Sequence, residues 1–266
     1  MKVNLMYLKL YSLVIIFTAS SYAQDLIGVI DLNNGRKTNV IIQKSDNTDI
    51  HFIEYKSKKK FVVPADKVNS IKFISEYNFD NFRNEINVTD EAFINFENEI
   101  KKYSNFMFVN NNLLNYFYDY LDYVFISDRF ENSLIYYIDI LKSSPVSSIN
   151  AKGLHYECMY RIKIHEFDKV QEIAENISNE ADKIYYQALI FNEQKKFKDA
   201  MQTVTQMIIN HPNNTSWLPP TELLAAKIYL SLGLTNSAIS TIKQIKNIYN
   251  GTITAKVAEE VSNLLE

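Results

Sequence analysis

Residues 25 to 75 largely alternate apolar and polar positions, which is the pattern of half-buried β-strands. Residues typical of turns separate these stretches, and the first turn, Asn33-Asn34-Gly35-Arg36, contains the Asn-Gly pair that favours tight hairpins. The turn Pro64-Ala65-Asp66-Lys67 breaks the pattern before its last strand. The pattern therefore predicts a small five-stranded module over residues 24–75, with strands near 26–32, 38–42, 49–55, 61–63 and 68–74.

The spacing changes to a helical period further along the chain. Thr89, Asp90 and Glu91 are typical of a capped first turn with acidic residues, and the helix that they open is predicted to run to about Lys102. Residues 76–103 are interpreted as a connector that contains this linking helix. From about residue 105 the apolar positions recur at the spacing of amphipathic helices, so residues 104–266 are predicted to be helical.

The helices predicted over residues 104–266 recur as pairs. In the clearest pair, Ala188 and Ala200 stand where the two helices should touch, and Pro212 ends the unit. A last short helix, near residues 255–265, is expected to cap the apolar face of the final pair. The contact positions in the other pairs are Ala226 with Ala238, Cys158 with Val170, and Leu121 with Ser133. The turns within the pairs are expected at residues 128–130, 165–168, 195–197 and 233–234.

The junction Lys195-Lys196-Phe197-Lys198-Asp199-Ala200 resembles the helix-to-helix junction of the tetratricopeptide (TPR) repeat family. The five-stranded module is similar to the SH3-like β modules that follow signal peptides in bacterial envelope proteins. These resemblances imply an α+β, mainly α, fold, in which a small SH3-like β barrel precedes a TPR-like α-solenoid of helical hairpins. A generic helical bundle with accidental spacing is the alternative.

The TPR resemblance also implies a binding surface. In that family the concave groove takes an extended peptide or a helix from a partner, so a protein or peptide partner is expected here. The positions that TPR geometry would turn toward the groove are Tyr118, Asp122, Phe125, Tyr185, Leu189 and Asn192.

The N-terminus has the features of an export signal. Lys2 and Lys9 precede a short apolar run at residues 11–17. Ser21-Tyr22-Ala23 then fits a cleavage site after Ala23. The run is shorter than the roughly 20 residues of a transmembrane helix, although an uncleaved anchor is the alternative. With residues 1–23 as a signal peptide and one cysteine in the chain, a periplasmic or extracellular protein of a bacterial envelope is predicted, without a stable membrane anchor after cleavage.

Composition narrows the function classes. The formal net charge is −3 and no long basic block occurs, which argues against nucleic-acid binding. Five glycines leave little backbone to cradle a phosphate, and neither a P-loop nor a Gly-x-Ser-x-Gly elbow is present. His155 and Cys158 could share a helix face, but no third metal ligand accompanies them, and Cys158 is expected to be a buried small hydrophobe. The sequence therefore predicts no catalytic residues, no metal and no cofactor.

These observations favour an exported, non-enzymatic scaffold or adaptor that binds a protein partner through its repeats. The alternative is a cell-wall or carbohydrate-binding envelope protein that uses the β module and exposed aromatic side chains. The aromatic cluster at residues 116–125 could supply such side chains, although helix core is the expected role. An enzyme of unrecognised type would need a cleft in which polar groups with shifted pKa values converge.

Overall fold

The computed structural model of the protein describes residues 25–84, 89–129, 134–175, 177 and 179–265. The predicted signal peptide, residues 1–23, and the predicted contact residue Ser133 lie outside these ranges. Within them the chain forms eleven α-helices and one five-stranded antiparallel sheet, so the α+β, mainly α, class is confirmed. Across the same ranges, no helix combines the length and the apolar content that crossing a membrane requires.

All five predicted strands are present, and one face of the sheet is buried. The core face carries Ile30, Val40, Ile42 and Ile50, none of which is exposed to solvent. Gly35 has a φ of +81°, a conformation that costs glycine little, and this allows the tight first turn. The strands are β1 Leu26–Leu32, β2 Lys37–Ser45, β3 Asp49–Glu54, β4 Lys60–Pro64 and β5 Val68–Phe73, in the spatial order β4-β3-β2-β1-β5. Strands β1 to β4 form a meander, and β5 pairs with the free side of β1.

The predicted barrel is wrong, because this sheet is open. Its edge strands, β4 and β5, do not pair with each other. Residues 110–112 occupy the outer edge of β5 instead: the Ile71 N–H donates to the Asn110 carbonyl oxygen at 2.8 Å, and the Phe73 N–H donates to Oδ1 of Asn112 at 2.7 Å. Outer backbone groups of β5, which would have been needed to close a barrel, are therefore bonded to the segment leading into the helices.

The linking helix begins as predicted, since the Thr89 hydroxyl oxygen accepts the Ala92 N–H at 3.1 Å. The next long helix begins at Leu114 rather than near residue 105. Residues 104–106 form a 3-10 turn, and the apolar side chains that follow are buried in irregular backbone. The helices are α1 Asp80–Asn84, α2 Asp90–Lys101, α3 Leu114–Ile126, α4 Leu134–Lys142, α5 Ser147–Lys163, α6 Phe167–Glu175, α7 Glu180–Glu193, α8 Phe197–Asn210, α9 Leu218–Ser231, α10 Thr235–Ile248 and α11 Ile253–Asn263.

The four helix pairs, from α3 with α4 to α9 with α10, share one turn geometry. In each turn, the N–H of the residue after a left-handed residue donates to the carbonyl oxygen five positions earlier, at 2.8–3.0 Å. This is the Schellman arrangement, which satisfies carbonyl groups at a helix end. The left-handed residues are Asp128, His165, Lys195 and Gly233, with φ between +58° and +73°. All four turns thus lie where the sequence predicted them.

The predicted contact positions between paired helices are buried. Small side chains at such positions let two helices approach closely, as the repeat pattern requires. The residues concerned are Leu121, Cys158, Val170, Ala188, Ala200, Ala226 and Ala238, and none is more than 1% exposed.

Gly153 sets the closest approach of α5 to α4. A Cβ atom at this position would lie 2.7 Å from the backbone nitrogen of Lys142 and 2.9 Å from the carbonyl carbon of Leu141. We expect Gly153→Ala to lower the free energy of unfolding by about 1–2 kcal/mol, because overpacking outweighs the better helix propensity of alanine. Urea denaturation measures the change, and Gln171→Ala on the exposed face of α6 serves as the control. A variant at least as stable as wild type would show that α4 and α5 separate without cost.

Helix α11 returns to the start of the helical region. It packs against α9 and α10, as a capping helix should, and also against α3. The Lys256 ammonium donates to the backbone oxygen of Phe82 at 2.6 Å, and the Tyr123 hydroxyl donates to the Glu260 carboxylate. The last helix therefore joins the final pair to the first one, so that the helices surround a common space.

The aromatic cluster of α3 is mostly core, as expected. Its members Phe117, Tyr120, Tyr123 and Phe125 are at most 3% exposed. Tyr116 is half-buried and packs on Phe79 at a centroid distance of 5.4 Å. Phe79 in turn contacts Tyr103, which packs edge-on against Phe73 of β5 at 5.0 Å. The aromatic side chains thus form a continuous contact between the sheet and the helices.

Candidate functional site

A cleft of about 730 Å³ is enclosed between the first helices of the four pairs. Its walls come from α3, α5, α7, the loop that enters α9 and the first turn of α11. A smaller pocket of about 90 Å³ adjoins it and shares Phe125 and Tyr185 with it. The cleft has the volume of an ordinary ligand site.

Most of the predicted groove residues meet at this cleft. Asp122, Phe125 and Tyr185 line it, and Leu189 and Asn192 line the adjoining pocket. Tyr118 lines neither the cleft nor the pocket; its backbone oxygen accepts a hydrogen bond from the Tyr156 hydroxyl at 3.2 Å. The structure therefore brings five of the six positions to one continuous depression.

Trp217 forms one wall of the cleft and was not among the predicted residues. It precedes α9, in an insertion whose backbone is fixed by Asn214, which accepts the Ser216 and Trp217 N–H groups at 3.2 and 3.1 Å. The indole ring lies 4.6 Å from the ring of Tyr185 and 5.0 Å from that of His155, measured between centroids. Aromatic rings from α5, α7 and the loop before α9 therefore meet at the cleft.

Three carboxylates line the same cleft. Asp119 is paired with the guanidinium of Arg83 at 2.5 Å. Asp122 accepts the Tyr156 hydroxyl at 2.8 Å. Asp182 accepts the Trp217 indole N–H at 2.5 Å and an amide N–H of Asn179 at 2.7 Å. Asp122 and Asp182 are thus held by neutral donors.

The surroundings of these carboxylates disfavour their charged forms. Burial raises the pKa of Asp122 to about 6, although Lys152 and the Tyr156 hydroxyl pull it down. Burial likewise raises the pKa of Asp182, against the lowering effect of the Trp217 hydrogen bond. Both side chains keep some contact with solvent through the cleft while protein atoms crowd around them. A carboxylate without an ion pair in such a place carries a desolvation cost that a ligand can relieve.

The lysines of the cleft and of the adjoining pocket differ in their ion pairing. Lys152 is exposed at the cleft and forms no ion pair with any described residue; its ammonium lies 5.7 Å from the Tyr118 ring centroid. In the adjoining pocket, Lys163 and Lys227 both pair with Asp128, and Lys163 also pairs with Glu193. Those two cations are therefore already neutralised.

His155 and Cys158 do not form a reactive or metal-binding pair. The His155 Nδ1 atom lies 2.8 Å from the Tyr186 hydroxyl, and burial, with Lys152 nearby, lowers its pKa to about 3, so that the ring is neutral at pH 7. Cys158 is fully buried as expected, and burial raises its pKa to about 12, so that it remains a thiol. No group of three or more possible metal ligands occurs in the described ranges.

Comparisons with protein-family models, curated proteins and solved structures gave no match.

Sequence reasoning missed several residues that line the cleft. Trp217 could have been identified from the sequence, because it is the single tryptophan of the chain and stands beside Pro219 and Pro220 in an insertion between two repeats. Asp182 and Lys152 carried none, since charged residues on a helix usually face solvent. Only the assembly of the helices brings these side chains together.

Convergent polar groups with shifted pKa values are also what an unrecognised enzyme would need. Asp122 can exchange a proton near neutral pH. However, the hydroxyl groups of the described cleft lining show no hydrogen bond to His155 that would activate them. The arrangement as described is suited to binding a group between carboxylates and aromatic rings.

Proposed function

We propose that this protein is an exported, non-enzymatic scaffold or adaptor that binds an extended segment of a partner protein in the cleft. The proposal is carried by the position of five predicted groove residues, three of which line the cleft and two the adjoining pocket. The four equal turns and the buried contact positions support a relation to TPR-like helical hairpins. The N-terminal sequence supports a place in the periplasm or outside a bacterial cell.

The shape of the cleft favours an extended segment over a helix. A helix with its side chains is about 10–12 Å across, and it needs an open groove along its length. Here residues 251–254, which lead into α11, line the cleft in addition to the first helices of the pairs, so that the cleft is narrower than a groove walled by those helices alone. A single extended chain, or a few of its side chains, matches a volume of about 730 Å³ better.

Filling the cleft tests the proposal. Linear heptapeptides selected on the full chain from a displayed library are titrated while the fluorescence of Trp217, the only tryptophan of the chain, is followed. Ala151 is exposed and lines the cleft, so Ala151→Phe should fill space without disturbing the core. We expect this substitution to weaken binding by about tenfold or more, which corresponds to roughly 1.4 kcal/mol.

The matched control is Gln171→Phe, which adds the same ring to the exposed side of α6. It should leave peptide affinity unchanged. Peptides that bind both variants equally well, or a selection that yields no peptide, would refute the proposal.

A cell-wall or carbohydrate ligand is the second candidate. Trp217 and Tyr185 offer ring surfaces beside the amide groups of Asn179 and Asn214, a combination that also suits sugars. The cluster at residues 116–125 does not supply the platform, because most of its rings are buried. Titration of Trp217 fluorescence with solubilised cell-wall fragments separates the two candidates, since Ala151→Phe would then weaken glycan rather than peptide binding.

A further inference from the structure

We infer that the cleft anchors its partner by a cationic side chain, a lysine ammonium or an arginine guanidinium, placed between Asp122 and Asp182 against the ring of Trp217. This inference rests on the proposed function and specifies the chemistry of the segment that the cleft binds. Three observations lead to it: the pairing of the carboxylates, the aromatic wall, and the position of the resident lysine.

The first observation is that Asp122 and Asp182 form no ion pair with any described residue, whereas the carboxylates around them do. Asp119 pairs with Arg83 at 2.5 Å, and Asp128 pairs with Lys163 and Lys227. The donors to Asp122 and Asp182 are a hydroxyl, an indole and an amide, all neutral. Carboxylates in a confined space are ordinarily paired with a cation, so a ligand cation would supply what the chain does not.

The second observation is the aromatic wall. The half-buried ring of Trp217 packs against the buried ring of Tyr185 at 4.6 Å and against the half-buried ring of His155 at 5.0 Å, measured between centroids. Aromatic faces attract cations through their quadrupoles, tryptophan most strongly. They also accommodate the apolar stem of a lysine or arginine side chain. Because the burial of His155 keeps its ring neutral, that ring does not repel an arriving cation.

The third observation is that Lys152, the lysine that lines this cleft, forms no ion pair with these carboxylates. Lys152 is exposed, and its ammonium lies over the Tyr118 ring instead of within ion-pair distance of Asp122 or Asp182. It can therefore repel a second cation, and its removal should strengthen cation binding. An anionic ligand would respond in the opposite way, which makes Lys152 a probe of the sign of the ligand charge.

The experiment varies the charge of the ligand first, because this needs no protein variant. The full chain is titrated with the capped pentapeptides acetyl-Ala-Ala-Lys-Ala-Ala-amide and its norleucine and glutamate counterparts, with Trp217 fluorescence as the readout. We expect the lysine peptide to bind about tenfold or more tightly than the norleucine peptide, and the glutamate peptide to bind most weakly. Equal binding of the lysine and norleucine peptides would overturn the inference.

The protein is then varied with isosteric changes. Asp122→Asn and Asp182→Asn keep an oxygen that can accept the same hydrogen bonds, and each should weaken the lysine peptide by about tenfold while hardly changing the norleucine peptide. Lys152→Gln should strengthen the lysine peptide by about twofold to threefold. Asp168→Asn, at an exposed position of α6, is the control and should change nothing.

The outcomes separate this inference from the proposed function. If all three peptides bind alike and Ala151→Phe weakens all of them, the cleft binds peptides but the cationic anchor is wrong. If no peptide binds and the heptapeptide selection also fails, both the cationic anchor and the proposed function are refuted. If Lys152→Gln weakens the lysine peptide, the assigned sign of the ligand charge is wrong.

Discussion

Replacing Phe82 with alanine is expected to lower the free energy of unfolding by about 3–5 kcal/mol, the range for a fully buried phenylalanine. Phe82 is 1% exposed and stacks on Phe96 at a centroid distance of 4.0 Å. It also packs edge-on against Tyr123 at 5.7 Å, and its backbone oxygen accepts the Lys256 ammonium. One ring thus contacts or adjoins α2, α3 and α11, so that its loss leaves a cavity where three helices meet.

Urea denaturation at neutral pH measures this loss. Phe61→Ala is the control, because Phe61 lies on the edge strand β4, is only partly buried and stacks on Phe52 at 5.6 Å. The control should cost markedly less, about 1–2 kcal/mol. Equal losses in the two variants would contradict the central place of Phe82 in the core.

Asp122→Asn is expected to stabilise the protein above pH 6 by about 1–2 kcal/mol. The full pKa shift corresponds to about 3 kcal/mol, and the partial exposure of the side chain reduces this value. The pKa of Asp122 is raised from 3.8 to about 6 in the folded state, so the folded protein binds this proton more tightly than the unfolded chain does. The contribution of Asp122 to stability therefore falls as the pH rises from about 4 to about 6, and the full cost is present above that range. An asparagine at this position carries no charge and escapes the cost.

The measurement is the free energy of unfolding of wild type and variant at about pH 4 and about pH 8. The difference between the proteins should be small at the acidic pH and should favour the variant at the alkaline pH. A variant that is less stable at the alkaline pH would show that the ionised carboxylate stabilises the fold. A gain in stability together with weaker binding of a cationic peptide would mark Asp122 as a residue kept for function at the expense of stability.

The repeating part of the structure was predictable because local rules determine it. Each turn needs one residue that tolerates positive φ after an amphipathic helix, and the aromatic or apolar residues around Asp128, His165, Lys195 and Gly233 revealed these breaks. Burial of Ala188 and Ala200 follows from the helical period in the same way. The groove positions on α3 and α7 were within reach of the same reasoning, since helix geometry relates them to the buried ones.

The predictions of a barrel and of an early start of α3 were wrong because two segments distant in sequence could pair with the same strand edge. An open sheet and a barrel have the same strand pattern, and the outcome depended on residues 110–112 taking the edge of β5. Helix α3 begins late for the same reason: residues 110–112 bond to β5 and therefore cannot be helical, although the sequence predicted a helix there. Trp217 and Lys152 enter the cleft from a loop and from a helix face, and no local pattern distinguishes them from solvated residues.

The return of α11 to α3 has a consequence for how the chain folds. A linear array of helix pairs gains stability from nearest neighbours, so its ends can unfold separately from its middle. Here the contact from Lys256 to Phe82 spans 174 positions, and such non-local contacts slow folding and make unfolding more cooperative. The terminal pair is thus tied to the first, and the array should melt as one unit. Because residues 251–254 complete the cleft wall, a chain still being synthesised cannot form the binding site until its last helix has emerged.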